Sequence, residues 1–580
     1  MSLMSGLYVG TSGLKGGQNA LNTTAHNLSN IETPGYTRQQ VQLGSRSYMS
    51  LRVTPNSVAN QEHGLGVSYT NVKQVRDVFY DKSFRRESGR SMFYEVSAES
   101  IYEVETLLGE MDNSPFQATI DDLWVAVQEM GKDPTSAVTQ GLFVQRASEL
   151  VERAVAIYDG LAAYQDNLNQ IVKDQVNQIN LYGKQIVALN DQIRAIEAGG
   201  VERASDLKDE RNRILDELSK LVNVNIGTDY FGNATVQIEG VDFVKGDMCY
   251  EMAIEEDTVT GFYTPFWPQN ASYTITAEGT RDYYIEGAKV FKIDGVISSE
   301  LNTDIGGLKA TYLARGDHRA DYRDLATTES YDSIKNSVVM NVMAQFDQLA
   351  HSLSTKINGI FQEAAGVQNG DITIRNEDGS TQTLVGVNYC ISKPDGYLRD
   401  HEGKPIQIFD RKDAENYTKA QLDTGETVWI RVEEDPQAVE TIYSLKNLSI
   451  NTWIRQQPSE LGLRLADGSE DMATANKLMD AFTEESYRLN PTLNKLNTFT
   501  GYYSDLVAQA ANAGYMYQTI HENQVNTVES IQSAREQIMG VSSDEELANM
   551  IRYQNAYNAS SRYINVISQM LEHLVSSLGA

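Results

Sequence analysis

Both ends of the chain carry a heptad spacing, and this feature constrains the fold more than any other. Residues spaced alternately by three and four lie on one stripe of a helix. The N-terminal stripe consists of Leu7, Gly10, Leu14, Gly17, Leu21, Thr24, Leu28 and Ile31. The C-terminal stripe consists of Met550, Tyr553, Tyr557, Ser560, Ile564, Ile567, Leu571, Leu574 and Leu578. Each stripe predicts a helix that needs a partner, and each helix is a candidate partner for the other.

The first 31 residues are almost free of charge. Only Lys15 is charged there, although 22% of the chain consists of charged residues. A helix that faces solvent normally keeps a charged face. We therefore expect packing on several sides, in an assembly of subunits rather than in a monomer core. Gly10 and Gly17 would allow a second helix to approach closely. The predicted assembly interface comprises Leu7, Leu14, Leu21, Leu28, Ile31, Met550, Tyr557, Ile564, Ile567, Leu571, Leu574 and Leu578.

The interior alternates between helical and β-type segments. Long apolar heptads predict helices over 91–221, 333–362 and 471–540, and short alternating runs predict strands between them. The predicted fold class is α+β and multidomain, with the terminal helices paired as an α-helical coiled-coil rod and β-rich domains inserted in the middle of the chain. The predicted domains are 1–35 plus 545–580 as a terminal helical assembly domain, 36–225 plus 306–365 plus 459–544 as a helical rod domain, 226–305 as a β-rich domain, and 366–458 as a β-rich acidic outer module.

The outer module is acidic. Between Asp371 and Glu440 there are 15 acidic and 8 basic residues, which suits a solvated domain. All heptad stripes that could join subunits lie outside it. We therefore expect 366–458 to project from the rod and to be dispensable for assembly.

Charge and motif searches exclude several function classes. A formal net charge of −31 argues against binding nucleic acid or an anionic membrane. The chain has no apolar run long enough to span a bilayer and no segment typical of a cleavable signal peptide. Its seven histidines and two cysteines show no metal-ligand spacing, and no phosphate-binding or nucleophile motif is present. We predict no catalytic residue, no cofactor, no metal site and no enzymatic activity.

The segment 27–38 carries a recognisable signature. Its sequence is Asn-Leu-Ser-Asn-Ile-Glu-Thr-Pro-Gly-Tyr-Thr-Arg, and Thr33, Pro34, Gly35 and Tyr36 form its sharpest part. Pro34 restricts Thr33 to extended backbone and Gly35 allows a positive φ, so the first helix should end in a defined turn. This segment resembles the N-terminal signature of bacterial flagellar axial proteins, which include rod, hook and hook-associated components.

The C-terminus narrows the resemblance. Residues 540–547 and 553–564, together with internal stretches near 206–224, 306–317 and 346–350, are similar to hook-associated members of that family, which join hook to filament. The resemblance implies a structural subunit secreted without a cleavable signal, through the flagellar type III apparatus, to the hook–filament junction. It also implies self-assembly into a ring of identical subunits, contacts with the hook protein and with the second junction protein next to the filament, and an export chaperone on the C-terminal helix.

Other hypotheses remain at this point. The chain could be another flagellar axial protein of the hook or distal rod, because the N-terminal signature is shared. Residues 366–458 match nothing that we can place and could carry an adhesin or enzyme activity. An intracellular coiled-coil scaffold would also explain the heptads.

Overall fold

The structure is a computed structural model of the 580-residue chain. It describes residues 3–46, 48–52, 61–109, 115–199, 203–275, 281–376, 380–393, 397–465 and 467–579. The helices are α1 (Leu3–Ser29), α2 (Val78–Leu107), α3 (Phe116–Lys132), α4 (Ala137–Glu197), α5 (Ser205–Leu221), α6 (Gly307–Arg315), α7 (Thr328–Ile334), α8 (Val338–Ala364), α9 (Thr452–Gln456), α10 (Met472–Thr483), α11 (Phe499–Met539) and α12 (Ser543–Leu578).

The strands lie between α1 and α2, between α5 and α6, and between α8 and α9. They are β1 (Gln39–Ser45), β2 (Met49–Arg52), β3 (Gln61–His63), β4 (Val67–Gln74), β5 (Val224–Thr228), β6 (Ala234–Ile238), β7 (Val241–Lys245), β8 (Met248–Cys249), β9 (Ala253–Glu256), β10 (Tyr263–Phe266), β11 (Ser272–Ile275), β12 (Arg281–Tyr284), β13 (Gln368–Arg375), β14 (Thr381–Ile391), β15 (Phe409–Arg411), β16 (Tyr417–Leu422), β17 (Thr427–Arg431) and β18 (Leu448–Ile450). The predicted α+β class, with paired terminal helices and β-rich insertions, is confirmed.

A single helix of 61 residues, α4, connects the two main cores. Its N-terminal half packs with α3, α8, α10 and α11 in one apolar cluster. Its C-terminal half packs with α2, α5, α6 and the antiparallel sheet β5-β6-β7-β8 in a second cluster. Buried residues recur along it at spacings of three and four, for example Leu150, Ala154, Ile157 and Leu161. The heptad register of the sequence changes near 175–179. The helix is uninterrupted there, so the change moves the buried stripe around the helix without breaking the helix.

The outer module is smaller than predicted. Strands β13, β14, β17 and β16 close into a four-stranded antiparallel barrel. The rest of 366–458 is built into the helical core, where Ile408, Phe409 and Leu445 are fully buried. Asn358 on α8 fixes this connection, since its Nδ2 donates to the Phe409 carbonyl at 2.8 Å and its Oδ1 accepts from the Phe409 amide at 3.1 Å. The prediction that all of 366–458 projects from the rod as an outer module is therefore wrong. Apolar residues that lie among surface charges in this acidic stretch belong to the helical core.

Residues 39–74 also differ from the prediction. We placed them in the helical rod, but β1 and β4 pair there as an antiparallel ribbon. Its sequence alternates polar and apolar residues with period two, as Val41 and Leu43 show. The ribbon lies against α1, where the amide of Val67 donates to Oγ of Ser12 at 3.1 Å. The helix α2 begins only after Asp77, whose side chain caps the amide of Phe79.

Candidate assembly interface at the paired terminal helices

The terminal helices α1 and α12 lie side by side and antiparallel. Their contacts run in opposite order along the two helices, pairing Gly6 with Ile567, Gly10 with Ile564, Gly13 with Ser560 and Gly17 with Tyr557. A Cβ atom added at Gly10 would lie 2.6 Å from Cγ1 of Ile564, and one at Gly13 would lie 2.5 Å from Oγ of Ser560. Because neither space admits a methyl group, the glycines set how closely the two helices approach.

The face of α1 that is buried differs from the predicted stripe. Its buried residues are mostly small: Ser5, Gly6, Gly10, Ser12, Gly16, Gly17, Ala20, Thr24 and Asn27. The predicted leucines Leu7, Leu14, Leu21 and Leu28 flank this face and are only half-buried. Ile31 lies beyond the helix end and is exposed. Gly10, Gly17 and Thr24 of the predicted stripe do lie on this face, whereas its other small residues carry no hydrophobic signal and were not predicted.

The predicted residues of α12 divide between the pair and its surface. Ile567 is buried against α1, and Met550, Ile564 and Leu571 are half-buried. Tyr557 and Leu574 are exposed. The side chain of Leu578 lies outside the described residues.

The helix pair exposes a large apolar surface, which we call the outer apolar face. Its exposed side chains are Met4, Tyr8, Leu547, Ile551, Tyr557, Tyr563, Val566, Met570, Leu574 and Val575. Scattered exposed apolar residues are normal in soluble proteins, but Val566, Met570 and Leu574 recur at spacings of four along α12 and line one groove, and apolar residues grouped in this way mark an interaction site. The pair within one chain therefore buries only part of the apolar surface of its helices.

The signature turn joins α1 to the rest of the chain. Gly35 has φ +79°, and the Tyr36 amide donates to the Thr33 carbonyl at 3.1 Å. The hydroxyl of Tyr36 donates to Oδ1 of Asn27 at 2.8 Å. Burial, followed by the charges of Asp206, Asp209 and Glu546, raises the pKa of Tyr36 well above its usual range. The tyrosine therefore stays protonated, as its role as a hydrogen-bond donor requires. Thr33, Pro34 and Gly35 are exposed at the rim of the turn.

Glu546 ties the turn to the start of α12. Its carboxylate is 3% exposed and accepts from Nε of Arg38 at 2.9 Å and from Nδ2 of Asn27 at 3.2 Å. Nη1 of Arg38 also lies 2.8 Å from Glu545. The Arg38 amide donates to the Met539 carbonyl at 2.9 Å, next to the break between α11 and α12. The end of α1 and the start of α12 are thus held together at this turn.

Below this point lies a buried cluster of three arginines and three aspartates, the Arg–Asp cluster. Its members are Arg76, Arg85, Arg535, Asp81, Asp209 and Asp216, contributed by α2, α5, α11 and the segment before α2. Arg535 bridges two carboxylates, with Nε 2.8 Å from Asp81 and Nη2 2.7 Å from Asp216. Asp209 in turn accepts from the amide of Thr37 in the turn at 3.0 Å. Equal numbers of opposite charges satisfy the requirement that buried charges be paired.

In this cluster the pKa values of Asp81 and Asp209 shift in opposite directions. Burial raises the pKa of Asp81, but hydrogen bonding from Arg76 and the charges of Arg76, Arg535 and Arg85 outweigh burial and lower it below its usual range. Burial raises the pKa of Asp209 despite its bonds to Thr37. The sequence alone does not reveal this cluster, because its members are far apart along the chain and lie among many other charged residues.

The part of the chain that the structure describes contains no group of three or more His, Cys, Asp or Glu side chains placed to hold a metal ion. The helices of that same part include none long and apolar enough to cross a bilayer.

Comparisons with known protein families match three parts of the chain. Residues 7–37 match the family described as "Flagella basal body rod protein", and residues 532–577 match "Flagellar basal body rod FlgEFG protein C-terminal". Residues 101–374 match "Flagellar hook-associated protein FlgK helical domain". The first two matches cover the paired helices, and the third covers the helices α3 to α8 and the strands β5 to β12.

Full-length relatives agree with the family matches. The protein is 23% identical over 589 residues to Flagellar hook-associated protein 1 of Bacillus subtilis, covering 100% of this chain and 99% of that relative. It is 23% identical over 587 residues to the protein of the same name from Salmonella typhimurium, covering 97% and 98%. The structure of the flagellar hook junction protein FlgK from Burkholderia pseudomallei covers 80% of this chain and 100% of its own, with 14% identity and a TM-score of 0.48.

Proposed function

We propose that this protein, which belongs to the family of flagellar axial proteins, assembles through the outer apolar face of its terminal helix pair. Within that family the protein is a structural subunit of the flagellum that joins hook to filament, and as such it is an extracellular component that assembles with other flagellar proteins. The proposal concerns which of its residues make the subunit contacts.

The outer apolar face supports the proposal most strongly. Val566 and Met570 lie one helical turn apart on α12 and are 46% and 52% exposed. Together with Leu574 they line a shallow groove on the helix surface. Full burial of an exposed side chain of this kind contributes roughly 1.5–3 kcal/mol, so covering the exposed half of each with a neighbouring helix contributes about half as much. The same face, left bare in a free subunit, would favour aggregation.

The specific partners are proposals that rest on the similarity to the hook-associated relatives. We propose that identical subunits form a ring through their helix pairs, between the hook protein on one side and the second junction protein on the other. Before assembly, an export chaperone would cover α12, and export would use no cleavable signal. We also propose that the protein has no enzymatic activity.

The test replaces exposed residues rather than residues of the helix pair. Ile564 and Leu571 contact or flank α1, so changing them would disturb the monomer as well as the assembly. Val566→Asp with Met570→Asp leaves the monomer folded, but assembly would bury two carboxylates in an apolar contact, at a cost of several kcal/mol.

We expect cells with this variant to export the protein, to carry few filaments and to shed flagellin into the medium. A matched control changes Val259→Asp with Met248→Asp, which are 91% and 55% exposed in the β-rich domain. The control strain should carry normal filaments. Normal filaments on the Val566→Asp, Met570→Asp strain would show that this face is not an assembly surface.

A further inference from the structure

One edge of the sheet β5-β6-β7-β8 has no neighbouring strand in the described structure. Strand β5 pairs with β6 on one side. At the two ends of this ladder the Glu239 amide donates to the Asn223 carbonyl and the Asp229 amide donates to the Asn233 carbonyl. In an antiparallel pair, alternate residues direct their N–H and C=O groups to the same neighbour. Val224, Ile226 and Thr228 therefore direct theirs to the open edge, where the described residues offer no hydrogen-bond partner.

A cleft of about 670 Å³ runs along this edge. Its opposite wall is the first two turns of α2, and residues 301–305 close one end. Val78, Phe79 and Leu301 line it with apolar side chains that are 65%, 71% and 66% exposed. An edge of unpaired backbone groups beside an apolar wall is the arrangement by which proteins bind extended peptides as an added strand.

The exposed charged side chains that line the cleft are positive. Lys82 and Arg86 are exposed on the wall formed by α2, and Arg86 also donates from Nε to the Glu87 carboxylate at 2.7 Å, which leaves its other guanidinium N–H groups to a ligand. Asp81, the acidic residue lining the cleft, is buried and already paired with Arg76 and Arg535. In a chain with a net charge of −31, this wall is a local exception. It favours a ligand that brings carboxylates.

Two exposed aromatic residues lie at the end of β5, beyond the cleft. Tyr230 and Phe231 follow β5 and are 96% and 74% exposed. The Asp229 carboxylate holds this turn by accepting from the amides of Phe231 and Asn233 at 2.9 and 2.8 Å. Large aromatic side chains exposed on an ordered turn are typical anchors of protein contacts, because covering them buries much apolar surface.

We propose that this cleft binds an extended, carboxylate-bearing segment of a partner protein, which pairs with β5 as a fifth strand of the sheet. The backbone edge supplies the affinity that is independent of sequence, and the apolar wall and Tyr230–Phe231 accept alternate side chains of the segment. Lys82 and Arg86 select its charge. This contact is separate from the terminal helix pair and does not depend on its role in assembly.

The test uses the full-length protein and a fluorescent, end-blocked octapeptide of alternating glutamate and valine. We expect saturable binding by fluorescence anisotropy, together with slower hydrogen exchange at the amides of Val224, Ile226 and Thr228. A lysine–valine octapeptide and a glutamate–valine peptide with alternate amides N-methylated should not bind. Lys82→Glu with Arg86→Glu should weaken binding about tenfold or more.

A control variant, Lys446→Glu with Arg488→Glu, changes two exposed residues away from the cleft and gives the same net charge. It should bind the peptide as the unmodified protein does. The proposal is overturned if the amides of β5 gain no protection at saturating peptide, if the lysine–valine peptide binds equally well, or if both variants weaken binding to the same extent. Protection that rises with protein concentration alone would assign the edge to a second copy of this chain and would also overturn it.

Discussion

Replacing Arg535 by methionine should loosen the junction between the terminal helices and the rest of the chain. Methionine keeps most of the side-chain volume but removes the charge that bridges Asp81 and Asp216. The side chains of Arg535, Asp81 and Asp216 are 9%, 6% and 15% exposed, so water cannot replace the arginine readily. The Arg–Asp cluster would then hold three buried carboxylates against two guanidinium groups.

The expected cost follows from that imbalance. Removing one partner of a buried ion pair typically costs about 3–5 kcal/mol. Since Asp81 keeps Arg76 and Asp216 keeps Arg85, we expect the lower end, about 3 kcal/mol, or roughly a hundredfold in a local opening equilibrium. The reporters are the amides of Thr37 and Arg38, which donate to Asp209 and to the Met539 carbonyl. Their hydrogen exchange should accelerate about a hundredfold, if exchange follows local opening.

Two further variants make the test specific. Arg552→Met, at an exposed position on α12, should leave both amides as protected as before. Adding Asp216→Asn to Arg535→Met restores equal numbers of charges and should recover much of the protection. Unchanged exchange in Arg535→Met, or no recovery in the double variant, would refute the reasoning that charge balance in this cluster holds the junction.

Three other predictions concern separate parts of the molecule. Burial lowers the pKa of His318, but its contacts with Asp317 at 2.7 Å and Asp324 at 3.2 Å outweigh burial and raise the pKa from 6.5 to about 10. The stabilisation by protonated His318 should therefore be complete below pH 6.5 and lost as the pH rises toward 10. The melting temperature of His318→Gln should vary less over that range than the melting temperature of the unmodified protein. Gly10→Val should separate α1 from α12 and speed proteolysis of both. Gly141→Val on α4, where a Cβ meets nothing within 4 Å, should instead stabilise the helix by the propensity difference between the two residues, about a few tenths of a kcal/mol. Deleting 366–458 should unfold the helical core, because it removes Ile408, Phe409 and Leu445 from it, whereas deleting only the exposed turn 423–425 should leave the melting temperature nearly unchanged; a soluble, helical product of the large deletion would contradict this.

The sequence predicted the elements with strong periodicity. The long helix α4 and the helices α5, α8 and α12 follow from apolar residues at spacings of three and four, and the existence of β6, β13 and β17 follows from alternation. Local physical chemistry determines these elements, so a single sequence reveals them. The turn at Gly35 belongs to the same class, since only a residue without a side chain adopts its φ of +79° at little cost.

Long-range packing was not predictable in the same way. The contact face of α1 consists of small and polar residues, and those outside the predicted stripe, such as Gly6, Ser12 and Ala20, are buried because of where α12 and the β1–β4 ribbon lie and not because of their own hydrophobicity. The attachment of 398–463 to α4 and α8 depends on a few buried residues within an acidic stretch, such as Ile408 and Leu445. The Arg–Asp cluster joins residues separated by more than 300 positions in the sequence, as the pair of Arg535 and Asp216 shows.

Oxidation of methionines that the chain already contains tests whether the outer apolar face is covered in the flagellum. Met4 and Met570 lie on the outer apolar face and are 60% and 52% exposed in the single chain, while Met248 in the β-rich domain is 55% exposed. Because peroxide oxidises methionine in proportion to its exposure, mass spectrometry can compare the three sites in the free subunit and in sheared flagella. We predict that all three oxidise at similar rates in the free subunit, and that in flagella Met4 and Met570 become protected while Met248 does not. Equal oxidation of Met4 and Met570 in the two states would show that the outer apolar face stays uncovered in the flagellum and would contradict the account.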